Sequence, residues 1–586
     1  MINIGLLILS WLLFGLAFIL YFGSGNHLAP LLVWLGSAVT AAWRTEGTGN
    51  PWAPWIVAVG LSVILISAWL KVRRAFAEGQ KFVERSNAKL RTIAAPAGGM
   101  FGNAPLAVGE ELSREDLAFQ RWFLDKAFLP LESFEGFTQL DQFQFAAYRY
   151  QISFIQFALA MAQYTRTPAF HGYASEAQRR LIEKMTARPV WSYWAYENFW
   201  GNFRLDADPI KRDNIMLSGY MLLMMGLYES TTGDGRFNTE GCLQFNWNDK
   251  TTFPYDNIRI AGAVGRNFEA SKFGMFPCEP SLLFPICNII AVNGLKIYDR
   301  LHGYPTMESI LDRYRHATEV EFVGPDARPV GLRVERLGID LKIPFPMDGR
   351  VGAARVLGGS SQRVLGPGSF APLVCGVLPD IVERELLLGN LSRISSAVTS
   401  GNIRMADLGR YDVGNYRNTG AGVHPWMMIA AKEYGDDAFF DAIAKSADEN
   451  LDPVEENGVR HYRALSVLSM GQMFMGRFSR KDGFYDLVNR GNHENWNKGP
   501  ILAEAPYPGV LVARAVSDGE NLELVLRPGE AGGGTYVLEL ARLRPGARYL
   551  TSDGNSIIAD AEGHACLNVT LRDRLECDIR LAGAAG

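Results

Sequence analysis

The first 43 residues contain no Asp, Glu, Lys or Arg, and Arg44 is the first charged side chain. Two apolar runs lie in this stretch, at residues 4–22 and 28–43, and a third uncharged run covers residues 51–70. A helix that spans a bilayer needs about 17 to 25 apolar residues. The run lengths therefore predict three transmembrane helices, which together form a membrane anchor at residues 1–75.

Basic side chains follow the third apolar run at once, beginning with Lys71, Arg73 and Arg74. Only Glu78 and Glu84 oppose them before residue 92. By the positive-inside rule, this bias predicts a multi-pass protein of the cell membrane whose soluble part lies on the cytoplasmic side. Residues 76–110 are then a basic juxtamembrane segment that ends in a linker rich in alanine, glycine and proline.

Helical periodicity dominates residues 111–495, with long aromatic-rich segments at 143–164 and 208–228. In the second segment, Asp208 and Pro209 are typical of a helix start, and Gly233 is typical of a helix end. The later half of that segment is apolar on nearly every side, which indicates a helix buried inside a larger helical assembly.

The last part of the chain changes to a period of two. Alternating apolar and polar positions occur at 510–516, 522–526, 536–540 and 575–581, separated by turn signals such as Ser517-Asp518-Gly519. This pattern predicts an antiparallel β-sandwich over residues 500–586. We expect Cys566 and Cys577 to face its core as small apolar side chains.

Composition narrows the classes of function. With 48% hydrophobic and 20% charged residues in 586, the chain is globular, not disordered or disulfide-stapled. A formal charge of −4 offers no basic field for a phosphate backbone, so no nucleic-acid partner is expected. The 6 cysteines include no CxxC pair, and neither a metal nor another cofactor is predicted.

The most unusual local string is Phe276-Pro277-Cys278-Glu279-Pro280, which sets a thiol beside a carboxyl between prolines. If Pro280 opens a helix, the positive end of the helix dipole favours the thiolate and carboxylate forms. Cys287 would lie opposite Cys278 on one straight helix, so the two share a pocket only if the chain bends at Pro280 or Pro285. The alternative is structural, with two buried cysteines and an exposed glutamate.

These residues resemble the linalool dehydratase-isomerase family. The resemblance rests on the Cys278-Glu279-Pro280 string with Cys287-Asn288 and the stretch 298–303, and on a second block of Trp191, Trp194, 208–210 and 214–216. A weaker third block covers 150–160. The resemblance implies a mainly α fold, an (α/α)6-barrel or toroid over residues 111–495, and an enzyme that acts on small terpene alcohols.

The resemblance also implies site residues. Those matched to catalytic or reaction-centre positions are Glu279, Cys278, Cys287 and Tyr220. Tyr220 stands where the family has a pocket histidine, four residues after Met216 and so on the same helix face. Those expected to bind substrate are Met216, Tyr150, Trp194, Phe276 and Asn288.

We expect a membrane-anchored carbon–oxygen lyase or isomerase of the dehydratase type, a hydro-lyase that takes a small apolar, terpenoid-like alcohol or the matching alkene. In this hypothesis Glu279 is the acid, and Cys278 is the base or a transient nucleophile. Tyr220 and Cys287 position the hydroxyl group. The lipid bilayer is the other expected partner, and a homo-oligomer is left open.

Two alternatives remain at the level of sequence. An α/α barrel followed by a β-sandwich also occurs in glycan hydrolases and lyases, for which Asp412 or Glu197 would be the second carboxylate. The third hypothesis is a noncatalytic, membrane-tethered scaffold. Convergence of the four catalytic candidates in an apolar site would favour the enzyme over the scaffold.

Overall fold

The computed structural model describes most of the chain, and about half of the described residues are helical. The described residues are 4–44, 99–141, 144–322, 330–341, 371–405, 423–529 and 533–583, without 337 and 388, and scattered positions between 59 and 92.

The N-terminal part forms two helices, α1 (Ile4–Ser24) and α2 (Leu28–Arg44), which contact each other around a short turn. The side chains described in α1 run only from Ile8 to Tyr21. Over the residues that the structure describes, no helix combines the length and apolar composition required to cross a bilayer, so the three predicted spans are not supported. Much of the third predicted span, and much of the predicted segment 76–110, lie outside the described residues.

A large helical region follows. Its first helices are α3 (Arg114–Phe128), α4 (Tyr148–Arg166), α5 (Gly172–Lys184), α6 (Arg188–Trp191), α7 (Tyr193–Asn202), α8 (Ile215–Thr232), α9 (Asn257–Ala270), α10 (Pro285–His302) and α11 (Thr306–His316). The later helices are α12 (Ala371–Val374), α13 (Pro379–Leu387), α14 (Asn390–Thr399), α15 (His424–Tyr434), α16 (Asp437–Asn450), α17 (Val467–Arg477), α18 (Gly483–Asn489) and α19 (Glu494–Lys498).

Six of these helices form a closed ring. In order around the ring they are α4, α8, α10, α12, α15 and α17, and each contacts the next until α17 returns to α4. Helices such as α5, α9 and α16 pack on the outside of the ring. A closed inner layer with an outer layer of helices is the arrangement that an α/α barrel requires.

Helix α8 confirms the prediction of a buried helix, because nearly all of its side chains lie in the core. It ends at Gly233, as predicted, with a left-handed φ of 71°. The predicted start at Asp208 is wrong, since α8 begins at Ile215. The carboxylate of Asp208 instead accepts hydrogen bonds from the backbone N–H groups of Ile210 and Lys211, which closes a turn before the helix.

Short antiparallel hairpins connect the helices. They are β1 (Leu140–Asp141) with β2 (Gln144–Phe145), β3 (Leu243–Asn248) with β4 (Thr251–Tyr255), and β8 (Pro453–Glu456) with β9 (Val459–Tyr462). A small three-stranded sheet orders β5 (Leu282–Leu283), β6 (Leu332–Val334) and β7 (Ile339–Leu341).

The C-terminal strands build two antiparallel sheets, as predicted. One sheet orders β10 (Ile501–Glu504), β13 (Gly534–Ala541) and β16 (Ala565–Leu571). The other orders β11 (Val510–Ser517), β12 (Leu522–Pro528), β17 (Leu575–Leu581), β14 (Arg548–Thr551) and β15 (Ser556–Ile558). Cys577 is buried as expected, but Cys566 is exposed. The expectation for Cys566 is wrong because it lies on the outward-facing set of alternating positions in β16.

These sheets attach to the ring at the C-terminal end of α4. Leu502 donates to the carbonyl of Ala169 and accepts from His171, and Ala169 donates to the carbonyl of Ala515. The first turn of α4 is therefore at the far end of the ring, about 25 Å away along the helix.

Glycines bring α8 and α10 into close contact. A methyl group at Gly294 would lie 2.8 Å from the backbone nitrogen of Leu223, and one at Gly219 would lie 2.6 Å from Cβ of Ala291. Because these neighbours are backbone atoms or buried side chains of the adjacent helix, the two helices must separate if either glycine gains a side chain.

We predict that Gly294→Ala destabilises the protein by about 1–3 kcal/mol, the usual cost of overpacking a tight core. The measurement is the thermal unfolding temperature of the full chain. Gly262→Ala in α9 is the matched control, because its added methyl group meets only the mobile end of the Arg266 side chain, at 3.2 Å. Equal unfolding temperatures for the two variants would contradict the close-packing argument.

Candidate active site

Cys278 and Glu279 lie in a short connection between α9 and α10. The backbone N–H of Cys278 donates to the carbonyl of Leu282, and the N–H of Leu282 donates to the carbonyl of Glu279. Ser281 adopts a left-handed φ of 65°. The prediction that Pro280 opens a helix is wrong, because the chain turns back here and α10 begins at Pro285.

Asn288 holds this connection in place. Its side-chain amide accepts from the backbone N–H of Phe276 and donates to the carbonyls of Phe276 and Phe284. The ring of Phe276 packs against Phe268 of α9, with centroids 4.9 Å apart. Asn288 and Phe276, both predicted to bind substrate, thus make contacts that support the loop.

The bend between the two prolines brings Cys287 back to Cys278. Cys287 occupies the first turn of α10, where its thiol lies close enough to the thiol of Cys278 and to the hydroxyl of Tyr220 to act on the pKa of each. All three side chains are buried. The condition set by the sequence, a bend between the two cysteines, is met, and the bend brings them close together.

An aromatic wall adjoins these thiols. The rings of Tyr220 and Tyr150 meet edge to face, with centroids 5.3 Å apart. The Tyr150 hydroxyl lies 3.4 Å from the Met216 sulfur, to which it donates. The structure therefore brings together six of the nine predicted site residues, which are Cys278, Glu279, Cys287, Tyr220, Tyr150 and Met216.

Arg149, in the first turn of α4, is the main residue that sequence reasoning missed. Its guanidinium group is buried between the rings of Tyr150 and Tyr193, at 4.4 and 4.2 Å from their centroids. Its Nη2 lies 2.8 Å from the Met216 sulfur and 3.9 Å from Oε1 of Glu279. The available signal was that Arg149 is the only charged residue in the segment 143–164.

Glu197, on α7, adds a second buried carboxyl. Its charge interacts with those of Arg149 and Glu279. Glu197 is one of the two residues that the glycan hypothesis considered as a second carboxylate, and the other, Asp412, lies outside the described residues.

Burial governs the protonation of both carboxyl groups. It raises the pKa of Glu279 to about 7, against the opposing attraction of Arg149. Burial and the nearby Glu279 carboxylate raise the pKa of Glu197 well above its ordinary range, again opposed by Arg149. Near neutral pH, Glu279 is therefore present in both forms, and the same surroundings favour the protonated form of Glu197.

The neutral forms of Cys278 and Tyr220 are favoured. Burial raises the pKa of Cys278 well above its ordinary value, and its neighbour Cys287 adds to the effect. Burial likewise raises the pKa of Tyr220. The expectation of a dipole-stabilised thiolate at Cys278 is not met, because the residue precedes no helix directly and is buried among apolar and aromatic side chains.

Trp194, which was predicted to bind substrate, lies outside the group of side chains around Glu279. Its side chain is buried and lines a pocket of about 450 Å³ together with Asn198, Arg204, Asp208, Lys211 and Arg266, among others. The structure therefore does not bring Trp194 into the group around Glu279.

The turn between α1 and α2 covers the site from outside. A methyl group at Gly25 would lie 2.8 Å from Cδ of Pro280, and one at Gly201 of α7 would lie 2.3 Å from Cβ of Pro280 and 2.9 Å from the Gly25 carbonyl oxygen. Gly25, Gly201 and Pro280 thus form one tight contact beside Glu279.

Within the described ranges, no group of three or more His, Cys, Asp or Glu side chains is placed to hold a metal ion. The ring of helices, with a buried group of carboxyl, thiol, phenol and guanidinium side chains at one end, has the arrangement of an α/α barrel. The family model of linalool dehydratase/isomerase matches residues 149–468, more than half of the chain. The chain therefore belongs to the linalool dehydratase/isomerase family.

We predict that Gly201→Ala opens the site to solvent. The new methyl group displaces Pro280 and with it the connection that carries Cys278, so Cys278 should react faster with a thiol-alkylating reagent in the folded protein. Mass-spectrometric mapping of the alkylated cysteines measures this rate. Gly36→Ala, with nothing within 4 Å of its added methyl group, is the control. An unchanged rate at Cys278 would show that the contact does not seal the site.

Proposed function

We propose that the chain is a dehydratase and isomerase of a small apolar, terpenoid-like alcohol. One observation carries the proposal: Glu279, a carboxyl with a pKa of about 7, is buried beside two thiols and a tyrosine hydroxyl. Dehydration and its reversal require a group that exchanges protons near neutral pH, and this carboxyl has that property. Membership in the linalool dehydratase/isomerase family supports the substrate class.

The surrounding groups have distinct roles in this proposal. The Cys287 thiol and the Tyr220 hydroxyl orient the oxygen of the alcohol. Met216 and Tyr150 form the apolar wall against which the hydrocarbon part lies. Cys278 acts as a neutral hydrogen-bond donor beside Cys287, because its raised pKa disfavours a thiolate nucleophile.

The convergence of the four catalytic candidates supports an enzyme over a scaffold. The aromatic, water-poor surroundings favour an apolar substrate over a glycan, since glycan sites present polar clefts. A homo-oligomer stays a prediction.

We predict that Glu279→Gln lowers kcat by about 10² to 10⁴ because the amide cannot exchange a proton with the substrate. The assay incubates the full-length protein with linalool and other small apolar alcohols, with oligosaccharides in parallel, and detects alkenes and rearranged alcohols by gas chromatography. Glu433→Gln is the control: Glu433 is also buried, but it accepts from the backbone N–H groups of Phe484 and Tyr485, away from the site. Wild-type turnover by Glu279→Gln would remove this carboxyl from the mechanism.

We also propose that the α1–α2 hairpin attaches the protein to a membrane, on whose cytoplasmic side the barrel lies. Large apolar side chains of the hairpin are exposed, including Trp11, Leu12, Leu32 and Trp34. An apolar substrate dissolved in the bilayer would then be close to the turn that covers Glu279.

We expect the full-length protein to float with lipid vesicles in a density gradient, since exposed Trp and Leu side chains gain free energy by inserting into the membrane interface. Replacing Trp11 and Trp34 together by Ser should weaken flotation, whereas Val537→Ser, at an exposed apolar position of β13, should not. A wild-type protein that stays at the bottom of the gradient would rule out this attachment.

A further inference from the structure

Two carboxyl groups share one cation in the site. Glu197 and Glu279 are both almost fully buried, at 7% and 3% exposure. Among the residues that the structure describes, Arg149 is the only cation whose charge acts on either of them. Because an unpaired buried carboxylate is costly, one guanidinium group stabilises one carboxylate, and the second carboxyl keeps its proton.

The position of Glu197 follows from its place on α7. Tyr193, Glu197 and Gly201 are spaced by four residues and therefore lie on one face of the helix. At one end of this face, the Tyr193 ring contacts Arg149. At the other end, Gly201 contacts Pro280, which directly follows Glu279 in the chain. Glu197 thus faces the space between the guanidinium group and the Glu279 connection.

Each carboxyl also keeps one oxygen free. Oε2 of Glu197 and Oε2 of Glu279 are buried without a hydrogen-bond partner among the described residues. Buried polar atoms without partners are rare in folded proteins and often mark a place where a ligand or water binds. Two such oxygens near one guanidinium group fit a substrate that both accepts and releases a proton.

We propose that Glu197 and Glu279 form a carboxyl pair beside Arg149 that holds one proton in total. In this pair, Glu197 donates a proton to the substrate hydroxyl, and Glu279 accepts a proton from carbon. This inference rests on the proposed dehydratase function and gives the donor role, first expected of Glu279, to Glu197. Arg149 makes its ion-pair contact with Glu279, at 3.9 Å between Nη2 and Oε1, which makes Glu279 the ionised member.

The step balances without a further reactant. The C–O bond breaks, its electron pair goes to oxygen, and the Glu197 proton converts the leaving hydroxyl into water. Glu279 removes a proton from the adjacent carbon, and the electrons of that C–H bond form the C=C bond. The pair ends with one proton, now on Glu279, and transfer back to Glu197 restores the starting state. Hydration of the alkene is the same sequence reversed.

The one-proton state determines the pH dependence. The ionisable groups that face the pair from the packed elements are Arg149 and Tyr150 of α4, Tyr193 of α7, Tyr220 of α8, Cys287 of α10 and the adjacent Cys278. Glu279 has a pKa of about 7, whereas burial raises the pKa values of Cys278, Tyr150, Tyr193 and Tyr220 above their ordinary values. Activity should therefore rise with pH as Glu279 ionises near pH 7, and fall at higher pH when Glu197 ionises.

The direct test observes the protons and needs no substrate. Full-length protein containing ¹³C-carboxyl glutamate is studied by infrared difference spectroscopy between wild type and Glu197→Gln, so that all other glutamates cancel. We expect a protonated carboxyl signal from wild type at pH 8 that Glu197→Gln lacks. In the Glu279→Gln variant, the signal of the protonated Glu197 carboxyl should disappear at a lower pH than in wild type, because the neighbouring negative charge is absent. An ionised Glu197 in wild type at pH 8, or a Glu197 titration unaffected by Glu279→Gln, would overturn the pair.

Kinetics separates a proton donor from a merely structural residue. Glu197→Gln should lower kcat by about 10² or more with little change in KM, and should remove the high-pH limb of the profile. Glu197→Asp should restore part of kcat, and Glu433→Gln should keep the wild-type profile. A profile of Glu197→Gln with both limbs intact would contradict the donor role. If wild type turns over none of the alcohols, the proposed function fails while the infrared result still decides whether the carboxyl pair exists.

Discussion

The buried guanidinium group of Arg149 is the interaction on which the site depends. Removing a charge from water costs several kcal/mol, and a lone buried cation would be strongly destabilising. Here the charge is offset by the faces of Tyr150 and Tyr193, the sulfur of Met216 and the carboxyl of Glu279. Four separate parts of the chain, α4, α7, α8 and the connection before α10, are thereby fixed around one group.

The ring of helices explains why these parts meet. Helices α4, α8 and α10 are neighbours in the ring, and each contributes its first turns to the site. Their N-terminal ends carry partial positive charge, which favours a carboxylate near Arg149. The C-terminal β-sheets contact the opposite end of α4 and therefore do not cover the site. The turn between α1 and α2 covers it instead, where Gly25 contacts Pro280.

Part of this arrangement could be predicted from sequence. The two cysteines and Glu279 stand out because prolines flank them, and the strands of the C-terminal sheets show a clear period of two. The start of α10 could not be predicted, because either Pro280 or Pro285 could be the first residue of a helix. In the structure, residues 282–283 pair with β6 as a strand, so the helix begins only at Pro285. Arg149 escaped, and Glu197 was considered only as a second carboxylate for a glycan enzyme, because the role of a single charge in an apolar helix depends on its neighbours on other helices.

A crystal structure of the full-length protein with a bound, unreactive apolar alcohol tests the account most directly. The account predicts that the hydroxyl group lies within hydrogen-bond distance of both Glu197 and Glu279, with the hydrocarbon part against Tyr150 and Met216. An alcohol bound only in the pocket beside Trp194, with the two carboxyl groups far apart or both paired elsewhere, would contradict it.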